Sequence, residues 1–143
     1  MKQAYCTTCG GRTNNVIPPG DDHLRAVCKQ CGEIHYTNPK MVVGTIPEMD
    51  GKILLCKRDI EPRKGYWTLP AGFLESGETV RDGAVRETLE ETRARVEILG
   101  AYRMYNILFV DQIYMMFRAK LVSDNFGPTT ESSRVELFSE SEI

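Results

Sequence analysis

The stretch Gly72–Ala94, which reads GFLESGETVRDGAVRETLEETRA, decides the fold of this sequence. Its first part is a loop with two glycines, and a helix is predicted to begin at Thr79 and to end near Arg93. Asp82 lies three residues after Thr79 and completes a variant of the capping box, which favours a helix start at this point. The stretch therefore predicts a glycine-bearing loop that leads directly into one strong helix.

Three glutamates share one arc of the predicted helix, because Glu87, Glu90 and Glu91 occupy positions i, i+3 and i+4. Like charges at these spacings repel, and the C-terminal half of a helix disfavours anions. Arg86 can pair with Glu90 but leaves excess negative charge, which a hard cation such as Mg²⁺ or Mn²⁺ would offset. A solvated acidic face is the common explanation of such a pattern. The preceding loop can approach phosphate and metal closely, however, so we interpret loop and helix together as a cradle for a diphosphate.

Strands are predicted on both sides of this loop and helix. The predicted strands occupy residues 41–46, 53–57, 96–99, 101–110 and 113–122. Asp50-Gly51 is a hairpin turn signal between the first two strands. Residues 59–78 form a loop long enough to suggest function. Strands interleaved with one strong helix predict an α+β domain whose mixed sheet is covered by helix.

The N-terminal segment carries a different signal, two Cys-x2-Cys pairs separated by an 18-residue gap. The four cysteines are Cys6, Cys9, Cys28 and Cys31. This spacing is typical of a four-thiolate zinc site, which has no open position and is therefore expected to be structural. Two buried reduced pairs or two disulfides are the alternative, and His23 or His35 could replace a cysteine as ligand. We expect a zinc ribbon at 1–36, with the boundary set by Thr37-Asn38-Pro39-Lys40.

The composition argues against several classes of protein. The formal net charge of -2 and the pI of about 5.7 lack the basic excess of a domain that binds nucleic acid through its phosphates. The apolar runs are far shorter than the roughly 20 residues that a membrane-spanning helix needs. Residues 1–6 contain no apolar run of the kind found in a secretory signal, so we expect a cytoplasmic protein. Cys56 lies in an apolar run and is expected to be a buried thiol rather than a nucleophile.

The residues from Gly72 through Ala94 resemble the Nudix box, whose pattern is G-x5-E-x7-R-E-U-x-E-E-x-G-U. The matching positions are Gly72, Glu78, Arg86, Glu87, Glu90 and Glu91. Two positions depart, because Thr88 stands where a bulky aliphatic residue is usual and Arg93 stands where glycine is usual. If position 93 needs a left-handed conformation, arginine there would cost roughly 1–2 kcal/mol.

The resemblance implies a Nudix α/β/α sandwich with a mixed sheet at 37–143, preceded by the zinc ribbon. The chain stops at residue 143, where relatives continue into a helix that covers the sheet, so we expect this domain to lack its C-terminal helix. The apolar face left uncovered would then be hidden by dimerisation or remain a patch. Nudix enzymes of this kind are often dimers, and a homodimer is expected here.

The resemblance also implies metal-dependent hydrolysis of a diphosphate linkage. The implied ligands of Mg²⁺ or Mn²⁺ are Glu87, Glu90, Glu91 and the main-chain carbonyl of Ala71. Arg86 would hold Glu90 in place, and Glu78 would bind an outer metal or brace the loop. The general base lies outside the box in many Nudix enzymes. Glu131 is our first candidate and Glu75 the second, with a solvated loop glutamate as the alternative for either.

Substrate contacts are expected from the loop that precedes the helix. The candidate residues are Arg58, Arg63, Trp67, Gly72 and Phe73. Core packing is an equally good account of Trp67, and surface solvation is the more common fate of a loop arginine. Similarity to a zinc-ribbon subgroup that includes the plant FAD pyrophosphatase implies FAD, cleaved to FMN and AMP, or ADP-ribose. The alternatives are NADH or a capped RNA end, and a catalytically weak nucleotide-sensing module.

Overall fold

The computed structural model of the chain describes residues 3–143, so the first two residues of the predicted ribbon lie outside the described residues. The chain divides into two compact units, one that ends at Asn38 and one that spans Pro39–Ile143. In the first unit, strands β1 (Thr13–Val16), β2 (Arg25–Cys28) and β3 (Ile34–His35) form an antiparallel sheet in the order β1-β2-β3. No helix within residues 3–143 is long and apolar enough to cross a membrane.

The second unit is built on a seven-stranded sheet. Its strands are β4 (Lys40–Met49), β5 (Lys52–Arg58), β6 (Trp67–Thr68), β7 (Ala71–Phe73), β8 (Val96–Ile107), β9 (Gln112–Leu121) and β10 (Ser132–Phe138). The main path runs β10-β5-β4-β9-β8, with β6 paired to β5 and β7 paired to β4. Strands β4 and β9 are parallel and the other pairs are antiparallel, which confirms the predicted mixed sheet.

The predicted hairpin joins β4 to β5. Asp50 and Gly51 have φ angles of 51° and 74°, so both central residues of the turn are left-handed. A two-residue turn of this kind matches the twist of the flanking strands. The Asp-Gly signal therefore predicted the place of the turn.

Three parts of the predicted secondary structure differ from the observed one. Strand β8 continues through Val96–Ile107, where two strands were predicted, because bulges at 98–100 and 101–103 absorb the irregular pattern. The predicted loop contains the short strands β6 and β7, and β10 was missed entirely. These short segments extend because β4 and β5 offer them backbone partners outside the segments themselves.

A single α-helix, α1 (Val80–Thr92), lies within residues 3–143, so the second helical layer of the predicted α/β/α sandwich is not among them. Thr79 Oγ1 accepts a hydrogen bond from the Asp82 N–H at 3.2 Å, which confirms the predicted N-cap. The helix packs through Ala84 against a core that includes Val43 and Phe117. This packing fixes which face of α1 turns away from the sheet interior.

The two departures from the Nudix pattern both lie on this helix. Thr88 is fully buried, and its Oγ1 donates to the Ala84 carbonyl at 2.7 Å and lies 2.6 Å from Oγ1 of Thr45. The hydroxyl is therefore satisfied although an aliphatic side chain is usual there. Arg93 has a φ of 60° and caps the helix with its N–H on the Leu89 carbonyl at 2.8 Å. Position 93 is left-handed, as the usual glycine implies, and arginine carries the conformational cost.

Candidate functional site

A cleft of about 640 Å³ lies in the second unit. The charged residues that line it are Arg58, Arg63, Glu75, Arg86, Glu87, Glu90, Glu91 and Glu131. Apolar and aromatic side chains line it as well and are called its apolar wall: Val42, Ile60, Phe73, Ile107, Phe109, Val110 and Tyr114. The cleft therefore combines a cluster of carboxylates with an aromatic and aliphatic wall.

The loop before α1 lies directly against the glutamates because Gly72 has no side chain. A Cβ atom added there would lie 2.1 Å from Oε2 of Glu87, a distance that real contacts do not reach. Gly83 has the same role on the helix, since its added Cβ would lie 2.7 Å from Oε1 of Glu78. Glycine at position 72 thus lets the backbone of β7 approach the Glu87 carboxylate closely.

Arg86 connects the carboxylates on the helix with the loop. Its guanidinium donates to Glu78 at 2.7 and 3.0 Å, to Glu87 at 2.7 Å and to Glu90 at 3.1 Å. A further bond reaches the Phe73 carbonyl at 3.0 Å. The bonds from Arg86 lower the pKa of Glu78 to about 2, so this carboxylate is ionised at neutral pH. The i, i+4 pair with Glu90 is confirmed, and Arg86 also braces the loop through Glu78.

Glu91 occupies the most buried position of the carboxylate cluster, with 6% of its surface exposed. Its Oε2 accepts the Ala71 N–H at 3.0 Å and lies 3.8 Å from Sγ of Cys56. Burial, together with the negative charges of Glu87 and Glu131, raises the pKa of Glu91 to about 7, against the lowering effect of the Ala71 N–H. Burial also raises the pKa of Glu87. The cleft thus holds negative charges that destabilise one another.

This donor set fits a hard divalent cation, because every side-chain donor is a carboxylate oxygen. The cleft lining holds five glutamates against three arginines, so negative charge remains in excess. Within residues 3–143, however, Glu87, Glu90 and Glu91 do not bring one oxygen each to within 4.8 Å of the others. Arg86 holds Glu87 and Glu90, whereas Glu91 bonds to the β7 backbone. These three residues would have to adjust their side chains to share an ion.

The structure brings most of the predicted site residues to this cleft. Arg58, Arg63, Gly72, Phe73 and Ala71 line it together with both candidate bases, Glu75 and Glu131. Glu131 is held beside the end of β5, since its carbonyl accepts the Asp59 N–H at 2.8 Å. Its negative charge contributes, after burial and nearer groups, to the raised pKa values of Glu87 and Glu91.

Trp67 is the exception, because it does not line the cleft. Its ring packs edge-on against Phe138, with centroids 4.8 Å apart, and the Arg134 guanidinium lies over it at 5.5 Å. Trp67 is half-buried, is absent from the cleft lining and lies outside both clusters of buried apolar side chains, so its substrate contact stays a prediction.

Sequence reasoning missed the part of the cleft that comes from the β8–β9 turn. Ile107, Phe109, Val110, Gln112 and Tyr114 all line the cleft. The only signal for them was the two-residue gap between the predicted strands 101–110 and 113–122, where Asp111 has a φ of 55°. Nothing in the local pattern shows that the parallel pairing of β9 with β4 brings this turn to the cleft.

The four paired cysteines of the first unit form a second candidate site. All four are free thiols whose Sγ atoms lie within 4.8 Å of one another. Distances of 3.7 Å for Cys6–Cys31, 3.5 Å for Cys9–Cys28 and 3.4 Å for Cys9–Cys31 exclude disulfides. Sulfurs of a tetrahedral site with Zn–S bonds of about 2.3 Å lie about 3.8 Å apart, so the cluster fits a zinc ion.

The two cysteine pairs adopt the same local structure. The N–H groups of Thr8 and Gln30 each point at the first sulfur of their pair at 3.4 Å. Gly10 and Gly32, with φ angles of 74° and 77°, follow the second cysteine of each pair and close the turn. His23 and His35 do not belong to this cluster, so four thiolates complete it without them.

The second unit thus places a glycine-bearing loop and a carboxylate-rich helix beside one cleft, on a mixed sheet. The chain belongs to the NUDIX domain family, whose model matches residues 38–143, and the model described as Nudix N-terminal, a zinc ribbon, matches residues 4–37.

Two known proteins are similar to different shares of the chain. An NAD-capped RNA hydrolase NudC from Photobacterium profundum is 30% identical over 90% of this chain and 47% of its own length. An ADP-ribose pyrophosphatase from Methanocaldococcus jannaschii is 53% identical over 40% of this chain and 34% of its own length. The chain thus spans about half or less of these curated relatives. These two relatives do not support the predicted plant-type FAD subgroup.

A crystal structure of a NUDIX hydrolase from Nitrosomonas europaea is similar over the whole chain. It has a TM-score of 0.94 and 53% sequence identity, and the match covers 100% of this chain and 80% of that one. The similarity therefore extends over both the cysteine-rich unit and the sheet with its helix.

Proposed function

We propose that this protein hydrolyses the diphosphate linkage of a nucleoside diphosphate derivative, with ADP-ribose as the first candidate substrate. The observation that carries the proposal is the convergence, in one cleft, of the box glutamates with an apolar wall. The carboxylates suit the metal that a diphosphate requires, and the wall suits the nucleoside.

The catalytic ions are proposed to be Mg²⁺ or Mn²⁺, held by Glu87, Glu90 and Glu91 with the carbonyl of Ala71. Such ions would neutralise the phosphate oxygens and stabilise the leaving phosphate. Arg86 positions Glu87 and Glu90 through the hydrogen bonds it donates to them. The Ala71 N–H holds Oε2 of Glu91 and leaves Oε1 as the oxygen that can turn to the cleft.

We assign the general base to Glu131, which lines the cleft close to Glu87 and Glu91. Its role would be to accept the proton of the attacking water. Glu75 is the second candidate, and its N–H donates to Glu78 at 2.8 Å, which ties its backbone to the brace formed by Arg86. Arg58 and Arg63 are the proposed contacts of the phosphates, because both line the cleft.

The substrate ranking follows the relatives named above. An ADP-ribose pyrophosphatase supports ADP-ribose, and an NAD-capped RNA hydrolase supports a capped RNA end or NADH as the second candidate. FAD remains a prediction from the subgroup resemblance alone. The intact carboxylate cluster argues against a catalytically weak sensor. A homodimer also remains a proposal.

The test is a panel assay with Mg²⁺ or Mn²⁺ and the substrates ADP-ribose, NADH, FAD and NAD-capped RNA. Products are identified by chromatography, and Glu91→Gln is the matched control for contaminating hydrolases. Release of AMP from ADP-ribose by the wild type but not by the control supports the proposal. Activity no higher than that of Glu91→Gln on every substrate contradicts it.

A further inference from the structure

Phe109 is the most exposed large apolar side chain of the described residues, with 85% of its surface accessible. It lines the cleft from the short 3-10 turn Leu108–Val110 between β8 and β9. Leu108, its neighbour in the same turn, is 81% exposed but does not line the cleft. Leu108 and Phe109 are thus both highly exposed, but only Phe109 lines the cleft.

The turn that carries Phe109 is anchored at both ends. Ile107 pairs with Gln112 across the hairpin, and the Asp111 N–H donates to the Leu108 carbonyl at 3.2 Å. The Asp111 carbonyl in turn accepts the Lys40 N–H at 3.0 Å, which ties the turn to the start of β4. An anchored turn can hold an aromatic ring in a defined position beside the cleft.

The other aromatic rings of the cleft offer less free surface. Phe73 is 46% exposed, and the Lys40 ammonium lies 5.0 Å from the centre of its ring. Tyr114 is half-buried in β9. Phe109 is therefore the ring best placed to lay a full face against a planar ligand.

We infer that Phe109 is a specificity-determining residue that stacks on the base of the bound nucleotide at the rim of the cleft. The inference rests on the proposed function, because the carboxylate wall has to hold the diphosphate while the base reaches the apolar wall. Stacking of a base on an aromatic side chain is tolerant of base identity, since every base has a π face. The residue would thus select for a nucleoside over a sugar without selecting one base.

The experiment compares Phe109→Ala, Phe109→Leu and Phe109→Trp with Leu108→Ala, the matched control for removing an exposed apolar side chain from the same turn. With ADP-ribose as substrate, Phe109→Ala should raise KM about tenfold with little change in kcat, because the contact binds substrate and transition state alike. Phe109→Trp should restore KM and Phe109→Leu should not. Leu108→Ala should behave like the wild type.

Titration of AMP into the wild type and Phe109→Ala tests the stacking without turnover. Weaker AMP binding to Phe109→Ala supports the inference even if no substrate of the panel is cleaved, an outcome that would contradict only the proposed function. Equal AMP affinity of the two proteins, or no AMP binding to either, overturns the inference. Wild-type KM in Phe109→Leu also overturns it, because a planar ring would then not be needed.

Discussion

The cysteine cluster and the carboxylate cleft are two candidate metal sites that are built in opposite ways. Each half of the cysteine cluster comes from four consecutive residues, whose backbone N–H groups already point at the sulfurs. The cleft takes residues from the end of β5, from β7, from α1, from the β8–β9 turn and from the segment before β10. Each half of the cysteine cluster is therefore local, whereas the cleft that surrounds the helix glutamates depends on the whole sheet.

The two sites also differ in what supports them when no ion is bound. The buried residues of the first unit are few, namely Cys6, Pro18, Ala26 and Cys28 among the described residues. The second unit has two clusters of buried apolar side chains. Loss of metal should therefore unfold the ribbon, whereas the sheet and its helix should persist and only the cleft should change.

The largest effect is expected for Cys28→Ser, which removes one ligand from the closed cluster. Purified wild-type protein should contain one zinc per chain, and the variant should contain almost none, because a four-thiolate site cannot replace a lost ligand. Amide exchange should then show loss of protection in residues 3–38. Hydrolysis should be little changed, since the ribbon is not expected to take part in it.

Cys56→Ser is the control for this experiment, because Cys56 is a buried cysteine outside the cluster. It should keep a full zinc content by metal analysis. A wild-type protein that carries much less than one zinc per chain after purification without chelator would contradict the assignment.

The next largest effect is expected for Glu91→Gln in the cleft. Activity with Mg²⁺ or Mn²⁺ should fall at least about 100-fold, which corresponds to roughly 2.7 kcal/mol of lost barrier reduction. The fold should be retained, because glutamine can still accept the Ala71 N–H. Glu140→Gln, at an exposed position remote in sequence, serves as the control in steady-state kinetics. Near-wild-type turnover by a folded Glu91→Gln protein would contradict the assignment of Glu91 as a ligand of the catalytic metal.

The pH dependence of unfolding tests the same residue without turnover. The pKa of Glu91 is raised to about 7 in the fold, so its protonated form is the stable one. The stability that protonated Glu91 gives the fold is fully present below the unfolded pKa near 4.5. This stability is lost as the pH rises through 7. Without added divalent cations, Glu91→Gln should match the wild type at low pH and exceed its free energy of unfolding by up to about 3 kcal/mol at pH 8. If denaturant titrations gave both proteins the same dependence of the free energy of unfolding on pH, the ionised form of Glu91 would not be destabilised in the fold.

A smaller effect is expected from the buried hydroxyl pair below the cleft. Thr88→Val should lower the free energy of unfolding by about 1–3 kcal/mol, because it leaves the hydroxyl of Thr45 buried without its partner. Thr45→Val should cost less, since Thr88 keeps its bond to the Ala84 carbonyl. A double-mutant cycle by urea unfolding should show the double variant less destabilised than the sum of the single ones. Strict additivity would mean that the two hydroxyls do not interact.

The smallest effect is expected at the end of α1. Arg93→Gly should raise the free energy of unfolding by about 1 kcal/mol, because glycine adopts the left-handed conformation without the cost that arginine carries. Arg93→Ala is the control, since alanine keeps that cost while losing the same charge. In thermal unfolding, Arg93→Gly should have a higher Tm than both the wild type and Arg93→Ala. A higher Tm in Arg93→Ala as well would assign the gain to charge rather than to backbone conformation.

Several elements could be predicted from the sequence because their causes are local. Thr79 and Asp82 mark the helix start, and Asp50-Gly51 marks a turn whose φ angles only a few residue types adopt readily. Strand β10 could not be predicted in this way, because it extends by pairing with β5, more than seventy residues earlier in the chain. The polar stretch that precedes it shows no alternation that would favour a strand.

The sequence by itself determined the spacing of the zinc ligands, the order of glycine, arginine and glutamate in the box, and hence the family. These features lie within a few residues or one helix, where backbone geometry alone fixes what can meet. Only the tertiary structure decided that Glu131 and Phe109 share the cleft and that Trp67 packs outside it. The physical reason is that these positions follow from strand pairing across the sheet, which depends on backbone partners distant in sequence.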